Sequence, residues 1–361
     1  MIINFFITSL GGGGAERVVC NLANYLKKNQ NTVTITVLRG KERAYSLDEG
    51  ISVDFLQPEY YINKEKLYRL KEILSIIKFL RNLPKNSLLV SFLELPVAYS
   101  LVFRSLYKQK LVICERNNPD FYSKGYRKLF SLMARKADGC VCQTTTILNW
   151  YRTKLSPKTK SIVVANSING DVLNAAVSEL GDKVIMTMGR LEPQKNQAML
   201  ISAFAELANV YPEYNLVIYG KGPLENDLKA QITSLGLDNR IELRGFTNNV
   251  VEAYQHSCLF VLTSDHEGMP NVLAEAMAMG LPCISTDCGG GGAKELISNG
   301  ENGLLIPRQD KQSLIKAIND ILSSETLSRQ LSVNAIKVRE KLSPTIIHAK
   351  WEDYFKTVIE N

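Results

Sequence analysis

The stretch SDHEGMPNVLAEAMAMG, residues 264–280, places a carboxylate where an ionised group needs a partner. Pro270 suits the first turn of a helix and Gly280 suits its end, so the sequence predicts a helix over about 270–279. This helix would be apolar around nearly its whole circumference, which indicates burial on most sides. Glu275 lies inside it. Because burying an ionised carboxylate without hydrogen bonds is unfavourable by several kcal/mol, Glu275 either forms an internal salt bridge or receives a polar ligand.

A second carboxylate, Glu267, stands just before this helix. The first helical amides, around Asn271 and Val272, have no partner within the helix and would attract phosphate. Carboxylates can accept hydrogen bonds from sugar hydroxyl groups. Two carboxylates for hydroxyl groups and a helix N-terminus for phosphate together predict a site for a sugar nucleotide.

Basic side chains suited to a diphosphate occur earlier, in GRLEPQKN at 189–196, where Arg190 and Lys195 follow a predicted strand. A nucleoside diphosphate develops negative charge as its bond to a sugar breaks, and two fixed cations stabilise that charge. The sequence contains no D-x-D pattern, which is the usual acidic clamp for a metal-bound diphosphate. We therefore expect a site that needs no metal and no other cofactor.

Two nearly identical glycine-rich stretches, GGGGAER at 11–17 and GGGGAKE at 289–295, lie in opposite halves of the chain. Each follows a predicted strand and opens a predicted helix, an arrangement that presents backbone amides to an anion. A plain tight turn is the simpler interpretation of each run. A dinucleotide fingerprint would need glycine where the chain has Glu16 and an acidic residue where the second strand ends in Arg39, so NAD binding is disfavoured.

The elements that must position these residues alternate between apolar, β-branched runs and amphipathic helical segments. The predicted strands are 2–7, 32–38, 88–92, 111–114, 139–142 and 161–164 in the first half, and 183–188, 215–219, 241–243, 259–262 and 282–285 in the second. This alternation predicts an α/β protein with two doubly wound parallel sheets. We expect domains at 1–170 and 171–340, with a final helical segment, 341–361, packing back toward the first domain.

Several motifs, in this order and spacing, resemble one enzyme family over essentially the whole chain. They are TSLGGGGAERVVCNLA (8–23), GRLEPQKN (189–196), YGKGPL (219–224), LRGF (243–246), EGMPNVLAE (267–275) and CGGGGAKEL (288–296). The sequence resembles the retaining GT-B-fold glycosyltransferases of family 4. The resemblance implies a GT-B fold, in which two Rossmann-like domains face a central cleft, and transfer of a hexose or N-acetylhexosamine from a UDP-sugar.

The resemblance also implies roles for the residues of the second half. Arg190 and Lys195 would hold the donor diphosphate. Glu267, with the backbone of Gly268 and Met269, would bind the transferred sugar. Arg190, Lys195 and Glu267 would then be the catalytic residues.

Further donor contacts follow from the same resemblance. Glu275 would bind the ribose hydroxyls, and the backbone from Arg244 to Phe246 would bind the base. The remaining donor-binding residues are Pro270, Asn271 and Val272 near phosphate, with Gly13, Gly14 and Arg17 contributed by the first domain.

One departure concerns a histidine that many relatives carry in the N-terminal domain beside the donor sugar. The histidines here are at 256, 266 and 348, and Arg116, in CERNNP at 114–119, occupies the equivalent loop. Arginine cannot act as a base at neutral pH, so Arg116 would act electrostatically toward phosphate, or else form a structural ion pair. Glu94, in SFLELP, would reach the acceptor hydroxyl, or else bind backbone amides at the strand end.

Charge is unevenly distributed along the chain. Residues 1–170 carry 26 Lys and Arg against 12 Asp and Glu, whereas residues 171–361 carry 17 against 24. A cationic half suggests an anionic partner, either nucleic acid or a membrane surface. The cations lie mostly on predicted helices at 67–83 and 122–136 rather than on a strand platform, so nucleic acid is disfavoured.

The first of these basic helices places leucines or isoleucines at 67, 70, 73, 74, 77 and 80 on one face. Such a stripe is typical of a helix that covers a sheet, while the surrounding cations suggest a peripheral membrane surface. MIINFFITSL lacks the basic leader and cleavage site of a signal peptide, and the seven cysteines form no metal or disulfide pattern. We therefore expect a cytoplasmic protein on the inner face of the membrane.

The sequence thus predicts an enzyme that transfers a sugar from a UDP-sugar to a polyprenyl-diphosphate-linked saccharide, in surface polysaccharide or glycan assembly. Its partners would be the UDP-sugar, the lipid-linked acceptor and the anionic membrane. A sugar-nucleotide epimerase or phosphorylase of the same fold is an alternative, as is a basic nucleic-acid-binding protein.

Overall fold

The computed structural model describes residues 1–57, 59, 68–116, 122–177 and 182–360. The chain divides into two compact units. The first unit contains Met1–Ser167 together with the closing segment from Thr345, and the second unit contains Ile168–Pro344. The last helix therefore belongs to the same unit as the N-terminus.

The first unit is built on a parallel sheet of seven strands in the order β3-β2-β1-β4-β5-β6-β7. The strands are β1 (Ile2–Ile7), β2 (Thr32–Arg39), β3 (Ser52–Gln57), β4 (Ser87–Phe92), β5 (Lys110–Glu115), β6 (Gly139–Cys142) and β7 (Lys160–Val163). β4 is buried along its whole length and β1 along nearly all of it, as expected for central strands covered on both faces.

Helices cover both faces of this sheet. They are α1 (Gly14–Lys28), α2 (Tyr68–Arg81), α3 (Glu94–Val102), α4 (Lys124–Met133), α5 (Thr145–Arg152) and, at the end of the chain, α15 (Pro344–Ile359). One face carries a core that includes Phe6, Ile76 and Phe130. On the other face α15 buries Trp351, whose ring stacks on Phe92 at a centroid distance of 5.9 Å.

The second unit contains a parallel sheet of six strands in the order β10-β9-β8-β11-β12-β13. The strands are β8 (Val184–Met188), β9 (Asn215–Tyr219), β10 (Ile241–Gly245), β11 (Leu259–Leu262), β12 (Cys283–Thr286) and β13 (Leu304–Ile306). Its helices are α6 (Gly170–Asn174), α7 (Gln197–Leu207), α8 (Glu225–Ser234), α9 (Val250–Gln255), α10 (Asn271–Ala278), α11 (Gly292–Leu296), α12 (Lys311–Leu322), α13 (Glu325–Ala335) and α14 (Val338–Lys341).

Both sheets are doubly wound, which confirms the predicted fold class. The strand order reverses between β1 and β4 in the first unit and between β8 and β11 in the second. At such a reversal the connections leave in opposite directions, so ligand sites form beside the carboxyl ends of the two strands. Every strand predicted from the sequence is present within two residues, but β3 and β13 were not predicted.

The orientation of α2 differs from the prediction. Ile76 and Leu80 face the core, but Leu70 and Leu74 are 55% and 57% exposed. The buried Glu72 fixes this orientation, because its carboxylate accepts hydrogen bonds at 2.7 and 2.9 Å from the guanidinium of Arg39 on β2. Leu70 and Leu74 therefore do not cover the sheet, and Leu67 lies outside the described residues.

Candidate functional site

The loops after β8, β11 and β12 meet at the carboxyl edge of the second unit's sheet. The amide of Asp265 donates to the carbonyl of Gln194 at 2.8 Å, which joins the first two loops. The amide of Glu267 donates to the carbonyl of Gly289 at 2.9 Å, which joins the second loop to the third. The three loops are therefore one hydrogen-bonded surface beside the β8–β11 reversal.

Lys195 and Glu267 form an ion pair on this surface. The Ser264 hydroxyl also donates to Glu267 Oε1 at 2.8 Å, and the two charged side chains are only 14% and 11% exposed. Sequence reasoning gave these residues separate roles, toward the diphosphate and toward the sugar. The structure brings them into contact, so each charged group helps to orient the other.

Arg190 lies on the same loop as Lys195 but in a more open setting. Its side chain is 70% exposed, and Nη1 lies 3.1 Å from Glu192 Oε1. An exposed ion pair of this kind contributes about 1 kcal/mol or less. The guanidinium can therefore leave Glu192 for an anionic ligand at small cost.

Helix α10 begins directly after Pro270, close to the predicted start. Glu275 is buried within it, and the Tyr254 hydroxyl lies 3.4 Å from Oε2. The same hydroxyl donates to the carbonyl of Val272 at 3.2 Å. Tyr254 thus ties Glu275 to the first turn of α10, where Asn271 and Val272 stand.

The second glycine run packs against the segment that precedes α10. A Cβ on Gly292 would overlap the carbonyl oxygen of Gly268 and lie 2.8 Å from Pro270 Cδ. Gly290 and Gly291 have φ angles of 104° and 77°, which other residues rarely adopt. This bare backbone therefore supports Gly268, Met269 and Pro270, which were predicted to bind the donor.

The predicted base-binding segment follows β10. Arg244 forms a two-pronged contact with Glu242, which raises the pKa of the guanidinium, and Nη1 donates to the Tyr219 hydroxyl at 3.0 Å. Phe246 is 68% exposed. The side chain of Arg244 is therefore committed to internal partners, and the backbone remains the part suited to a ligand.

In the first unit, the first glycine run ends at the start of α1. Gly12 has a φ of 110°, Gly13 is the N-cap residue, and Gly14 is the first residue of the helix. The amide of Arg17 donates to the carbonyl of Gly13 at 3.1 Å, which closes the first turn. The run thus lies at the carboxyl end of β1, beside the strand reversal.

Glu94 lies across this reversal, as the first residue of α3 after β4. Burial raises the pKa of its carboxyl group, which accepts no hydrogen bond from the described part of the chain. The alternative of a carboxylate tied to backbone amides is therefore wrong for the described residues. The preceding residue, Leu93, has a φ of 69°, a strained conformation of the kind that clusters at functional sites.

Arg116 follows β5 and is almost completely buried. Nη2 donates to Asn166 Oδ1, and the guanidinium carbon lies 5.9 Å from the centre of the Phe92 ring. Burial lowers its pKa to about 10, so the side chain is still a cation at neutral pH. Among the described residues it forms no ion pair, and the nearby acid Asp120 lies outside them.

The neighbouring residue, Glu115, was not singled out from the sequence. Its carboxylate is fully buried and accepts hydrogen bonds at 2.7 Å from both Tyr122 and Tyr126, which hold the start of α4 against β5. Burial raises its pKa to about 7, against the lowering effect of the tyrosine hydroxyls. The sequence signal that could have identified Glu115 is its position as a charged residue at the end of an apolar run.

Two expected absences can be examined only within the described ranges. There, no group of three or more His, Cys, Asp or Glu side chains is placed to hold a metal ion. In the same part of the chain, no helix combines the length and apolar character needed to cross a bilayer.

Two family models together match nearly the whole chain. Residues 12–172 match the model described as Glycosyltransferase Family 4. Residues 173–338 match the model described as Glycosyl transferases group 1.

Two similar proteins come from Campylobacter jejuni. The N-acetylgalactosamine-N,N'-diacetylbacillosaminyl-diphospho-undecaprenol 4-alpha-N-acetylgalactosaminyltransferase is 32% identical over 356 residues, which cover 94% of each chain. The GalNAc-alpha-(1->4)-GalNAc-alpha-(1->3)-diNAcBac-PP-undecaprenol alpha-1,4-N-acetyl-D-galactosaminyltransferase is 28% identical and covers 100% of this chain and 99% of its own. Both alignments extend through both units.

A solved structure shares the fold. The crystal structure of Anabaena HepE in complex with UDP has a TM-score of 0.82 to this chain, with 19% sequence identity. The match covers 99% of this chain and 100% of the Anabaena protein. At this identity the likeness shows a common arrangement of elements.

We predict that Gly292→Ala destabilises the second unit by about 2 kcal/mol or more, because the new methyl group can be accommodated only if backbone moves. Chemical unfolding followed by circular dichroism measures the change. Gly170→Ala is the matched control, since a Cβ there has no neighbour within 4 Å and the residue begins α6 in the same unit. Equal effects of the two substitutions would contradict the packing argument.

Glu115 predicts a pH dependence of stability. Its pKa is about 7 in the fold against an ordinary value of 4.5, so between these values the folded chain holds a proton that the unfolded chain has released. The free energy of unfolding should therefore fall by about 3 kcal/mol as pH rises through this window, then level off. Urea unfolding of the full-length protein between pH 4 and 8 measures it.

Glu115→Gln cannot titrate and should lack this loss, whereas the exposed control Glu49→Gln should keep it. Parallel stability curves for the wild type and Glu115→Gln would show that the carboxyl group titrates near its ordinary pKa.

Proposed function

The chain belongs to the GT-B glycosyltransferases, and we propose that it moves a hexose or N-acetylhexosamine from a UDP-sugar to a polyprenyl-diphosphate-linked saccharide. The observation that carries this proposal is the constellation at the β8–β11 reversal, where Arg190, Lys195, Glu267 and the start of α10 share one hydrogen-bonded surface. Cations, a carboxylate and a helix N-terminus suit a diphosphate joined to a sugar.

Charge development during the reaction explains the two cations. As the acceptor hydroxyl oxygen bonds to the sugar carbon, the bond from that carbon to the diphosphate oxygen breaks and negative charge grows on the leaving phosphate. The proton of the acceptor hydroxyl passes to that phosphate. Lys195 has three N–H groups, so it can contact Glu267 and still donate to that phosphate. Arg190 can add a second cation, because its surface contact with Glu192 is weak. Fixed charges that meet the leaving group lower the barrier without help from a metal.

The remaining donor contacts are proposed from the same surface. The carboxylate of Glu267, oriented by its contact with Lys195, can accept a hydrogen bond from a sugar hydroxyl. Glu275, fixed by Tyr254 near the start of α10, would bind the ribose, and the Arg244–Phe246 backbone would bind the base. In the first unit, Glu94 would contact the acceptor hydroxyl.

The acceptor class rests on the relatives. Both Campylobacter enzymes are named for undecaprenol-diphosphate-linked saccharides and for an α linkage. An α-linked product made from an α-linked nucleotide sugar corresponds to retention of configuration, which we propose here. These relatives do not favour the alternatives of an epimerase, a phosphorylase or a nucleic-acid-binding protein.

Contact with the membrane is proposed from the surfaces of α2 and α4. On α2, the exposed Leu70 and Leu74 lie on the same side as Lys78 and Arg81. On α4, Leu132 is 71% exposed, and Lys124, Arg127 and Lys128 stand along the same helix. Exposed leucines beside cations suit the boundary of an anionic bilayer.

We predict that Glu267→Ala and Arg190→Ala each lower kcat by about 10²-fold or more. Glu267→Ala removes the proposed sugar contact and the partner that orients Lys195, and Arg190→Ala removes a cation from the leaving phosphate. UDP release with a polyprenyl-diphosphate-linked saccharide as acceptor measures the rate. Glu301→Ala and Arg329→Ala, exposed positions of the same unit, are the matched controls and should keep wild-type turnover.

If both active-site variants transferred sugar at near wild-type rates, the assignment of the donor site would be wrong. The same assay in excess EDTA should proceed at an undiminished rate, because protein cations neutralise the diphosphate. A strict requirement for Mg²⁺ or Mn²⁺ would contradict this part of the proposal.

Binding to anionic vesicles tests the membrane surface. Charge reversal at Lys124, Arg127 and Lys128 should lower partitioning by about 10²-fold or more, since each cation near an anionic bilayer contributes about 1 kcal/mol. Sedimentation with phosphatidylglycerol vesicles at low and high salt measures it. Lys229→Glu, an exposed cation of the second unit, is the control, and a loss of the same size there would indicate only a net-charge effect.

A further inference from the structure

Arg116 has donor groups that the described residues do not satisfy. The residue is 4% exposed, and its Nε and Nη1 atoms are buried without a hydrogen-bond partner in the described ranges. Burying a cation whose donors are unpaired is strongly unfavourable. Natural proteins retain such a group where a ligand completes it, at the expense of stability in the free protein.

Neighbouring side chains hold this guanidinium in place. Nη2 donates to Asn166 Oδ1, and the same oxygen accepts a hydrogen bond at 3.0 Å from Gln143 Nε2. The Phe92 ring lies 5.9 Å from the guanidinium carbon. These contacts use one nitrogen and orient the other two, so the unpaired donors have a fixed geometry.

The adjacent acid does not neutralise this charge. The two oxygens of Glu115 accept hydrogen bonds from Tyr122 and Tyr126, so this carboxylate is already committed to other partners. Asn166 and Gln143 are neutral. A ligand that satisfies Arg116 must therefore accept hydrogen bonds, and it gains most if it is negatively charged.

We propose that Arg116 is the binding group for a phosphate-class oxyanion at the carboxyl edge of the first unit's sheet, with Asn166 and Gln143 as positioning residues. The anion site adds a residue to the proposed function. It rests on that function only for the identity of the molecule that carries the phosphate. Both proposed substrates carry a diphosphate, so the anion comes either from the lipid-linked acceptor or from the UDP-sugar.

The first test measures the stability of the free protein. Arg116→Met keeps the length of the side chain but removes the charge and its N–H groups. We expect it to raise the Tm of the ligand-free full-length protein by a few degrees. Arg152→Met, an exposed arginine of the same unit, is the matched control and should leave the Tm unchanged. A purely structural arginine would give the opposite sign, with a lower Tm for Arg116→Met.

The second test adds inorganic pyrophosphate or UDP to the same proteins. Thermal shift measures the change in Tm, and calorimetry measures the binding of each probe. If the acceptor supplies the anion, pyrophosphate stabilises UDP-saturated wild-type protein, and Arg116→Met abolishes that shift while binding UDP normally. If the donor supplies it, UDP removes the pyrophosphate response and Arg116→Met weakens UDP binding at least 10-fold. Arg116→Lys should keep a weaker response in either case and serves if the methionine variant does not fold.

The anion site is overturned if Arg116→Met responds to pyrophosphate and UDP as the wild type does, whatever its Tm. If Arg116→Met does not fold, the same result for Arg116→Lys overturns it. Because the readouts are binding and stability, they do not require sugar transfer. Loss of all transfer by the wild-type protein with every lipid-linked acceptor would instead refute the proposed function and leave the result on Arg116 standing.

Discussion

The reversal of strand order in each parallel sheet is the constraint on which the functional surfaces depend. At β8 and β11, and again at β1 and β4, the connections leave neighbouring strands in opposite directions. The loops therefore separate at the carboxyl edge and present backbone amides and helix starts to one place. This arrangement brings Lys195 to Glu267, although 72 positions separate them along the chain. Side chains that no local pattern connects become one site because the topology places their strands side by side.

The two units differ in how a buried or partly buried charge is compensated. In the second unit, Lys195 and Glu267 neutralise each other, so the surface is organised before any ligand arrives. In the first unit, Arg116 is held by a neutral amide and an aromatic ring, and the described residues leave its charge uncompensated. A paired charge costs little in the free protein, whereas an unpaired one weakens the fold until an anion binds. The first arrangement favours a rigid site, and the second couples stability to ligand binding.

The sequence alone predicted the central strands and the edge strands β7 and β10, but it did not predict the edge strands β3 and β13. Central strands are continuous apolar runs, but β3 alternates in burial and β13 has only three residues, so neither resembles a buried strand. Periodicity also failed to orient α2, because the pairing of Glu72 with Arg39 outweighed the preference of Leu74 for burial. The motifs located the loop residues of the second unit, yet the environment of Glu115 came only from the structure. Contacts between elements distant in sequence determine the orientation of α2 and the environment of Glu115, and a local sequence pattern does not reveal those contacts.

The two tetraglycine runs show the same limit most clearly, because nearly identical letters serve different physical needs. Around Gly292 the backbone of one loop packs against the carbonyl of Gly268, so a side chain would displace the segment that leads into α10. A Cβ on Gly12 would meet only the Ala44 Cβ among the described residues, at 3.4 Å, and the positive φ of Gly12 is what favours glycine. Both runs thus contain glycines with positive φ, but only the second adds a backbone packing requirement, at Gly292. A repeated sequence in two similar folds need not reflect a repeated function, since the neighbours that make glycine necessary are supplied by each unit separately.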